Sequence, residues 1–285
     1  MLGIPVPGDL ESQYNPRKAV ANVEQFAQRS AALSAATRQR RTDARLDLRY
    51  GEGKLATLDV FPAAAPGSPV HVFLHGGYWR GRDKSDYSYV ADALVPHGIT
   101  TVVMNYDLCP AVELPAIVQQ VREGFQWIHA HARDWGGDPA AITASGHSAG
   151  AHLIAAALPR ADDPAAAWAP RAAVLVSGIY ELEPVLSVSV NQEIRLRPGQ
   201  VDALSPMRHP PTAAVPLLVV AGGAEPTAWV KQSHDFAKAC TAAGGSAAYV
   251  ELPGTHHYSI MNALESADGT LARLIAAYAR PRSPT

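Results

Sequence analysis

The chain has 285 residues, of which 47% are hydrophobic and 18% charged, and its formal net charge at pH 7 is −2. This composition is typical of a folded globular protein and excludes a disordered chain. A net charge so close to zero gives no reason to expect nucleic acid or an anionic membrane surface as a partner.

The cysteine content and the N-terminus indicate a reducing compartment. Two cysteines, Cys109 and Cys240, are too few for a framework of disulfides. The first residues lack the basic segment and apolar core of a secretory signal, and no apolar run reaches the ~20 residues of a membrane-spanning helix. We therefore expect a cytoplasmic protein with no membrane partner. The sequence is also compatible with a homodimer.

The first part of the chain predicts an arm, a helix and a hairpin. Residues 1–43 are expected to form the arm and the helix, and the helix runs from about 19 to 40 because apolar side chains share one face. Two strands are predicted over 44–50 and 54–61. The Gly51-Glu52-Gly53 separator is a turn signal between them.

From residue 70 onward, short apolar strands alternate with helices. The strands are predicted at 70–74, 99–105, 140–145, 172–177, 215–221 and 247–252. The helices are predicted at about 87–97, 114–133, 149–158, 229–243 and 259–279. Such alternation predicts an α/β fold, with a mostly parallel central sheet, helices on both faces and an antiparallel edge.

Residues 178–211 break this alternation. The segment is too long for a plain connection, and we predict a small, partly helical lid-like insertion over the edge of the active site. No internal repeat divides the chain, so residues 1–285 are expected to form a single domain.

The chemistry of the chain centres on residues 146–150, with the sequence Gly-His-Ser-Ala-Gly. They lie between a β-compatible run and a helix-forming run, and strand, tight turn and helix are what a G-x-S-x-G nucleophile elbow requires. The glycines leave room where the chain reverses. The helix N-terminus brings N–H groups and a positive dipole end next to the hydroxyl of Ser148. Ser148 is therefore the candidate nucleophile.

A candidate oxyanion hole follows the strand predicted at 70–74. Gly76 and Gly77 stand at its carboxyl end, where the backbone can turn its N–H groups outward. Together with the amide of Ala149, the residue after the nucleophile, they could hold the negative oxygen of a tetrahedral intermediate. His75 is expected to orient this loop by hydrogen bonding rather than to act as a base.

Eleven histidines are available as the general base. In α/β hydrolases the triad occurs in the chain order serine, acid, histidine, so the base should follow the elbow. His256 and His257 lie after the last predicted strand, where this topology delivers its histidine. Position alone does not separate the two, and we prefer His257.

The orienting acid is expected after the strand predicted at 215–221. Glu225 is the carboxylate of that loop, and it could accept from the distal N–H of the histidine and stabilise the imidazolium. Asp235 lies further on, within a helix, and is an inferior choice. Asp202, in the insertion, stays open as the alternative acid.

No metal or cofactor is expected. His129 and His131 stand two positions apart on a helix and point to different sides. Neither an H-E-x-x-H motif nor a cysteine cluster is present. Gly136-Gly137 precede a predicted strand, whereas a dinucleotide-binding glycine loop follows one. The expected partner is a small-molecule amide or ester.

Several segments together resemble the α/β-hydrolase-fold kynurenine formamidases (arylformamidases) and their esterase relatives. The segments are His75-Gly76-Gly77-Tyr78-Trp79, 105–110 and 146–153, with further likeness at 13–17 and 177–184. The resemblance therefore spans nearly the whole chain. Carried over by position, it implies an α/β-hydrolase fold with Ser148 as nucleophile, Glu225 as acid and His257 as base. The acid is usually Asp in characterised formamidases, and it is Glu here.

The resemblance implies a serine hydrolase that removes the formyl group from an N-formyl aryl amide such as N-formylkynurenine, through an acyl-enzyme. Tyr78, Trp79 and Tyr180 could stack on the aryl amine, although core packing is an equal alternative for Trp79. A carboxylesterase for short acyl or aryl esters is the second hypothesis. A hydrolase-fold protein that binds a ligand without catalysis is the third, but its expected mark, a missing triad member, is not found.

Overall fold

A computed structural model of the chain describes residues 9–159, 166–211 and 215–280, so residues 1–8 of the predicted arm lie outside it. The strands of these ranges are β1 (Arg45–Arg49), β2 (Thr57–Phe61), β3 (Ser68–Leu74), β4 (Thr100–Met104), β5 (Gly137–His147), β6 (Ala173–Val176), β7 (Leu217–Gly222) and β8 (Ala247–Leu252). The α-helices are α1 (Leu10–Tyr14), α2 (Pro16–Ala19), α3 (Val23–Arg40), α4 (Val90–Leu94), α5 (Leu114–His131), α6 (Ala149–Ala157), α7 (Asn191–Ile194), α8 (Pro198–Leu204), α9 (Thr227–Ala242) and α10 (Thr270–Ala279). Short 3-10 helices lie at Lys84–Tyr87, Val95–His97, Ala132–Trp135, Glu183–Ser187 and Ser259–Leu264.

The strands of the described ranges form one eight-stranded sheet in the order β1-β2-β4-β3-β5-β6-β7-β8. β2 pairs antiparallel with β1 and with β4, and the other neighbouring strands pair in parallel. The predicted mostly parallel sheet with an antiparallel edge is confirmed. Parallel order places the carboxyl ends of β3, β5, β7 and β8 at one edge, where the loops that follow them can meet.

Hydrophobic clusters cover the two faces of the sheet, because alternate residues of a strand point to opposite sides. On β3, Val72 and Leu74 belong to one cluster and Phe73 to the other. The first cluster also holds buried residues of α5, α6 and α9. The second holds buried residues of α4 and α10. The predicted helices on both faces are therefore confirmed.

Some helices begin or end differently from the prediction. The helix predicted over 259–279 is a 3-10 turn followed by α10, because the N–H of Gly269 bonds back to the carbonyl of Ser266 and closes a turn between them. The described part of the arm contains α1 and α2, the second beginning with Pro16. Residues 178–211 are partly helical, as expected. Within the described ranges, no helix is long and apolar enough to cross a membrane.

Candidate active site

Ser148 stands alone between a strand and a helix. β5 ends at His147 and α6 begins at Ala149. Ser148 has φ 55° and ψ −117°, a strained conformation for a residue with a side chain. The turn also packs very closely against β3, since a Cβ on Gly150 would lie 2.2 Å from the carbonyl oxygen of Leu74. The sequence motif thus folds as an elbow with Ser148 at its apex.

His257 and Glu225 come together from the loops after β8 and β7. The Nδ1–H of His257 donates to Oε1 of Glu225 at 2.7 Å. The N–H of Gly222 donates to the other carboxylate oxygen at 3.0 Å, and the Glu225 side chain is fully buried. The pair holds the ring proton on Nδ1 and leaves Nε2 able to accept a proton.

The alternative base and acid lie in other surroundings. Nδ1 of His256 accepts from two backbone N–H groups of its own turn, both at 3.2 Å. Asp202 lies on α8, where its largely exposed carboxylate pairs with His209 at 3.0 Å. The structure therefore brings Glu225, and not Asp202, to His257. The catalytic roles of these residues stay predictions.

Gly76 and Gly77 lie against the elbow. A Cβ on Gly76 would lie 3.2 Å from the Cβ of Ser148. Gly77 has φ +116°, and its Cβ would lie 2.1 Å from the carbonyl oxygen of Gly81, so only glycine fits. Within the described part of the chain, the N–H groups of Gly77 and Ala149 donate to no protein acceptor. Free N–H groups beside a serine are what an oxyanion hole requires.

Two buried histidines hold the loops around the elbow. The Nε2–H of His75 donates to Oδ1 of Asn105 at 2.8 Å, in line with the predicted orienting role. The Nε2–H of His147 donates to the carbonyl oxygen of His257 at 2.8 Å. Burial lowers the pKa of His75 and lowers that of His147 well below its usual value. The link from His147 to the His257 loop was not predicted, because nothing in the local sequence marks it.

Ser148 and His257 line a pocket with a volume of about 290 Å³. Its far walls come from residues 15–30, on α2 and α3, and from the loop 77–87. Among the described residues that line the pocket, none belongs to 178–211. The N-terminal segment thus forms the cover. Segment 178–211 contacts the pocket wall through the ion pair of Glu193 with Arg80, and its lid-like role stays a prediction.

The structure corrects two of the three predicted substrate contacts. Tyr78 lines the pocket, but Trp79 and Tyr180 are fully buried in the core. Trp79 packs edge-on against His152, with ring centroids 4.7 Å apart. Tyr180 stacks on Phe236 of α9, with centroids 4.1 Å apart. The sequence shows that both residues are aromatic, but tertiary packing decides whether each ring faces the pocket or the core.

Three other aromatic side chains line the pocket and were not predicted: Phe26, Tyr87 and Tyr258. The ring of Phe26 on α3 stacks on that of Tyr258, with ring centroids 6.1 Å apart. This contact joins α3 to the loop that carries His257. No local motif signals this contact between distant segments. Across the described ranges, no group of three or more His, Cys, Asp or Glu side chains is placed to hold a metal ion.

Known proteins are similar to this chain in sequence and in fold. The BD-FAE family model matches residues 58–162. Kynurenine formamidase of Drosophila melanogaster is 30% identical over 80% of this chain and 79% of its own length. Esterase LipQ of Mycobacterium tuberculosis is 34% identical over 74% of this chain and 56% of its own length. A crystal structure from Silicibacter sp. TM1040 superposes with a TM-score of 0.83 at 28% identity, covering 94% of this chain and 98% of the other.

The parallel sheet, the serine elbow and these likenesses define a hydrolase with the α/β-hydrolase fold. The fold and the enzyme class expected from the sequence are confirmed. Within that class, the likeness to the fly enzyme extends over four-fifths of the chain. The chain belongs to the kynurenine formamidase family.

Proposed function

We propose that this hydrolase removes the formyl group from an N-formyl aryl amide of the N-formylkynurenine kind. One observation carries the proposal: Ser148 at its elbow shares a pocket with His257, which is paired to a buried carboxylate. Membership of the kynurenine formamidase family supports a formamide as the scissile group. The aromatic lining of the pocket suits an aryl ring.

In the proposed mechanism His257 is the base. Its Nε2 accepts the hydroxyl proton of Ser148 while Oγ attacks the formyl carbon and forms a tetrahedral intermediate. The N–H groups of Gly77 and Ala149 stabilise the negative oxygen. No hydrogen bond joins Ser148 to His257 among the described contacts, and such bonds commonly tighten when substrate binds.

Collapse of this intermediate breaks the C–N bond. The imidazolium of His257 gives its proton to the leaving arylamine, and the formyl group stays on Ser148 as an ester. Water then attacks the formyl-enzyme with His257 again as base, and formate leaves. Glu225 keeps the imidazole oriented throughout, because the N–H of Gly222 already holds its second oxygen.

A carboxylesterase is the second candidate function. It uses the same nucleophile, base and oxyanion hole, and only the leaving group differs. The likeness to esterase LipQ favours it, at 34% identity. The pocket walls at 15–30 and 77–87 must decide between the two substrates, since the proposed catalytic groups serve both.

Measurement of kcat/KM on N-formylkynurenine, p-nitrophenyl acetate and p-nitrophenyl butyrate separates the candidates. We expect the formamide to give the largest value. Ester turnover without detectable formamide cleavage would overturn the proposal and favour the esterase. Failure of a fluorophosphonate probe to label the protein, under conditions that label a known serine hydrolase, would instead favour binding without catalysis.

We also propose a cytoplasmic location, as the cysteine usage indicates. Cys109 and Cys240 are both free and buried. Free buried thiols suit a reducing compartment. Fractionation of the source cells tests the proposal, and recovery of the protein from the extracytoplasmic fraction would contradict it.

A further inference from the structure

The pocket carries charged groups that the proposed chemistry does not use. Three arginines, Arg17, Arg80 and Arg82, line it together with one carboxylate, that of Asp86. Deformylation of a neutral amide at Ser148 needs none of these charges. A partly enclosed pocket strengthens any charge interaction formed inside it, so their arrangement bears on which substrates enter.

Protein partners already neutralise two of the arginines. Arg17 forms an ion pair with Glu24. Arg80 pairs with Glu193 at 2.6 Å. Arg82, by contrast, makes no ion pair and no side-chain hydrogen bond with any residue in the described ranges. Its guanidinium is therefore the free cation on this wall.

The two acidic groups of the same loop differ in a similar way. Asp83 accepts from the N–H of Ser85 at 2.8 Å and from Nδ2 of Asn105 at 2.7 Å. Asp86 lines the pocket, and its carboxylate is hydrogen-bonded to the backbone of Asp83 but accepts from no side chain of the described residues. Burial raises the pKa of the Asp86 carboxyl, and the nearby charge of Arg82 opposes that shift. The two side chains thus lie within each other's field without forming an ion pair.

Both groups lie on the loop that continues from the oxyanion glycines and line the same pocket as Ser148. Cγ of Arg82 lies 3.0 Å from the position that a Cβ on Gly77 would take. Asp86 belongs to the 3-10 helix Lys84–Tyr87, and the ring of Tyr87 stacks on His75 with centroids 5.8 Å apart. The free charges therefore stand on the wall that continues from the oxyanion loop.

The loop that carries them is rigidly anchored. The Nζ of Lys84 lies 2.7 Å from Oδ1 of Asp59, and the side chains of both are almost completely buried. Arg82 itself has φ +76°, a conformation that residues with side chains rarely adopt. A strained residue held in place by its surroundings, with a polar group left unpartnered, is typical of a binding position.

We propose that Arg82 and Asp86 form a subsite for the α-amino acid end of the substrate, with Arg82 binding its carboxylate and Asp86 its ammonium. The inference rests on the proposed function, because N-formylkynurenine carries such a zwitterion on the chain next to its formamide. A guanidinium binds a carboxylate through two parallel N–H···O bonds. A simple anion would face the repulsion of Asp86, and a neutral ester would leave both charges unpaired. One cation beside one anion therefore fits a zwitterion best.

Three formamides that differ only in the side chain test the subsite. They are N-formylkynurenine, its decarboxylated amine, and 2-formamidoacetophenone, which carries neither charge. Arg82→Met should lower kcat/KM on N-formylkynurenine about 10- to 100-fold, as expected for loss of a charged hydrogen bond, and should leave the other two substrates unchanged. Asp86→Asn should lower kcat/KM on both amines and leave the neutral ketone unchanged. Arg45→Gln, on the exposed edge strand β1, is the matched control and should change none.

An equal loss on all three substrates would show that Arg82 only supports the loop, and an unchanged kcat/KM on all three would show that it binds nothing; either result overturns the subsite. If the wild type cleaves esters and no formamide, the proposed function fails separately. In that case the subsite is tested by the affinity of the Ser148→Ala protein for L-kynurenine, measured by calorimetry. At least tenfold weaker binding after adding Arg82→Met supports it, and unchanged or absent binding overturns it.

Discussion

The pocket has a sheet wall, which carries Ser148, His147 and His257, and an outer wall of residues 15–30 and 78–87, and the walls differ in how their ionisable side chains are held. On the sheet wall these groups bond to one another, His257 to Glu225 and His147 to the carbonyl of His257. On the outer wall, Arg17 and Arg80 form ion pairs, whereas Arg82 and Asp86 form no ion pair and no side-chain to side-chain hydrogen bond within the described residues. Groups already oriented by the protein suit bond breaking, since they need not reorganise. Groups without a partner suit recognition. The difference indicates that the sheet edge sets the reaction and that residues 78–87 select the substrate.

The largest expected effect is the loss of the proposed nucleophile on the sheet wall. We expect Ser148→Ala to lower kcat on the best substrate by about 10⁴-fold or more. The free energy of unfolding should hardly change, because the hydroxyl makes no described hydrogen bond. Steady-state kinetics and urea unfolding measure the two effects. Residual activity above a few per cent of the wild-type value would show that another residue is the nucleophile.

The neighbouring histidines provide a matched pair of variants. His257→Ala should lower kcat/KM by about 10⁴-fold, because the proposed base and its carboxylate contact are lost together. His256→Ala should lower kcat/KM less than about tenfold, because within the described ranges that ring hydrogen-bonds to the backbone of its own turn and to no catalytic candidate. The reverse order would overturn the choice of base.

The two candidate acids are compared with isosteric amides. Glu225→Gln keeps the shape of the side chain but removes its charge, and we expect kcat to fall by about 10³- to 10⁴-fold. Asp202→Asn removes an exposed charge whose described partners lie on the outer surface, and should change kcat by less than about twofold. A larger loss for Asp202 would reassign the acid.

The anchoring of the outer wall is a question of stability. Lys84→Met removes one of two cations from the buried carboxylate of Asp59, which keeps Arg38 at 2.6 Å, and should cost about 2 kcal/mol of unfolding free energy. Lys231→Met breaks a partly exposed pair with Asp235 on α9, and should cost less than about 1 kcal/mol. Urea unfolding measures both. Equal costs would mean that the loop 77–87 does not depend on the buried pair.

The smallest effect concerns pH. His71 is a buried residue of β3, and its ring hydrogen-bonds to Thr143 and Ser145 of β5. Burial lowers the pKa of His71 to about 3. An unfolded histidine titrates near 6.5, so between these values the unfolded state binds the extra proton. Stability is therefore lost as the pH falls below about 6.5, by about 2 kcal/mol from this residue at pH 5. His71→Gln should reduce the difference in unfolding free energy between pH 7 and pH 5; an unchanged difference would assign the loss to other groups.

The sheet wall could be predicted because its signals are local. Ser148 and the glycines at 76 and 77 stand at strand ends, and strand ends can be recognised from short apolar runs. His257 and Glu225 were inferred from their order along the chain, and the structure places Nδ1 of His257 2.7 Å from Oε1 of Glu225. The alternation of short apolar strands with helices likewise predicted the mostly parallel sheet.

The outer wall could not be predicted in the same way. Phe26 reaches the pocket only because α3 packs against the loop after β8, a contact between the two ends of the chain. Trp79 and Tyr180 were expected at the substrate, yet both turn into the core. Which arginine stays free depends on where Glu24 and Glu193 lie in space. Such tertiary placements leave no periodic trace in a single sequence.

The central claim, that Ser148 is the nucleophile of a pocket that takes formamides, is tested most directly by peptide mapping after fluorophosphonate labelling. Mass spectrometry should find one adduct, on the peptide that contains Ser148. N-Formylkynurenine added beforehand should slow its formation, because the substrate occupies the same pocket. An adduct on another residue, or labelling at the same rate with and without the formamide, would contradict the account.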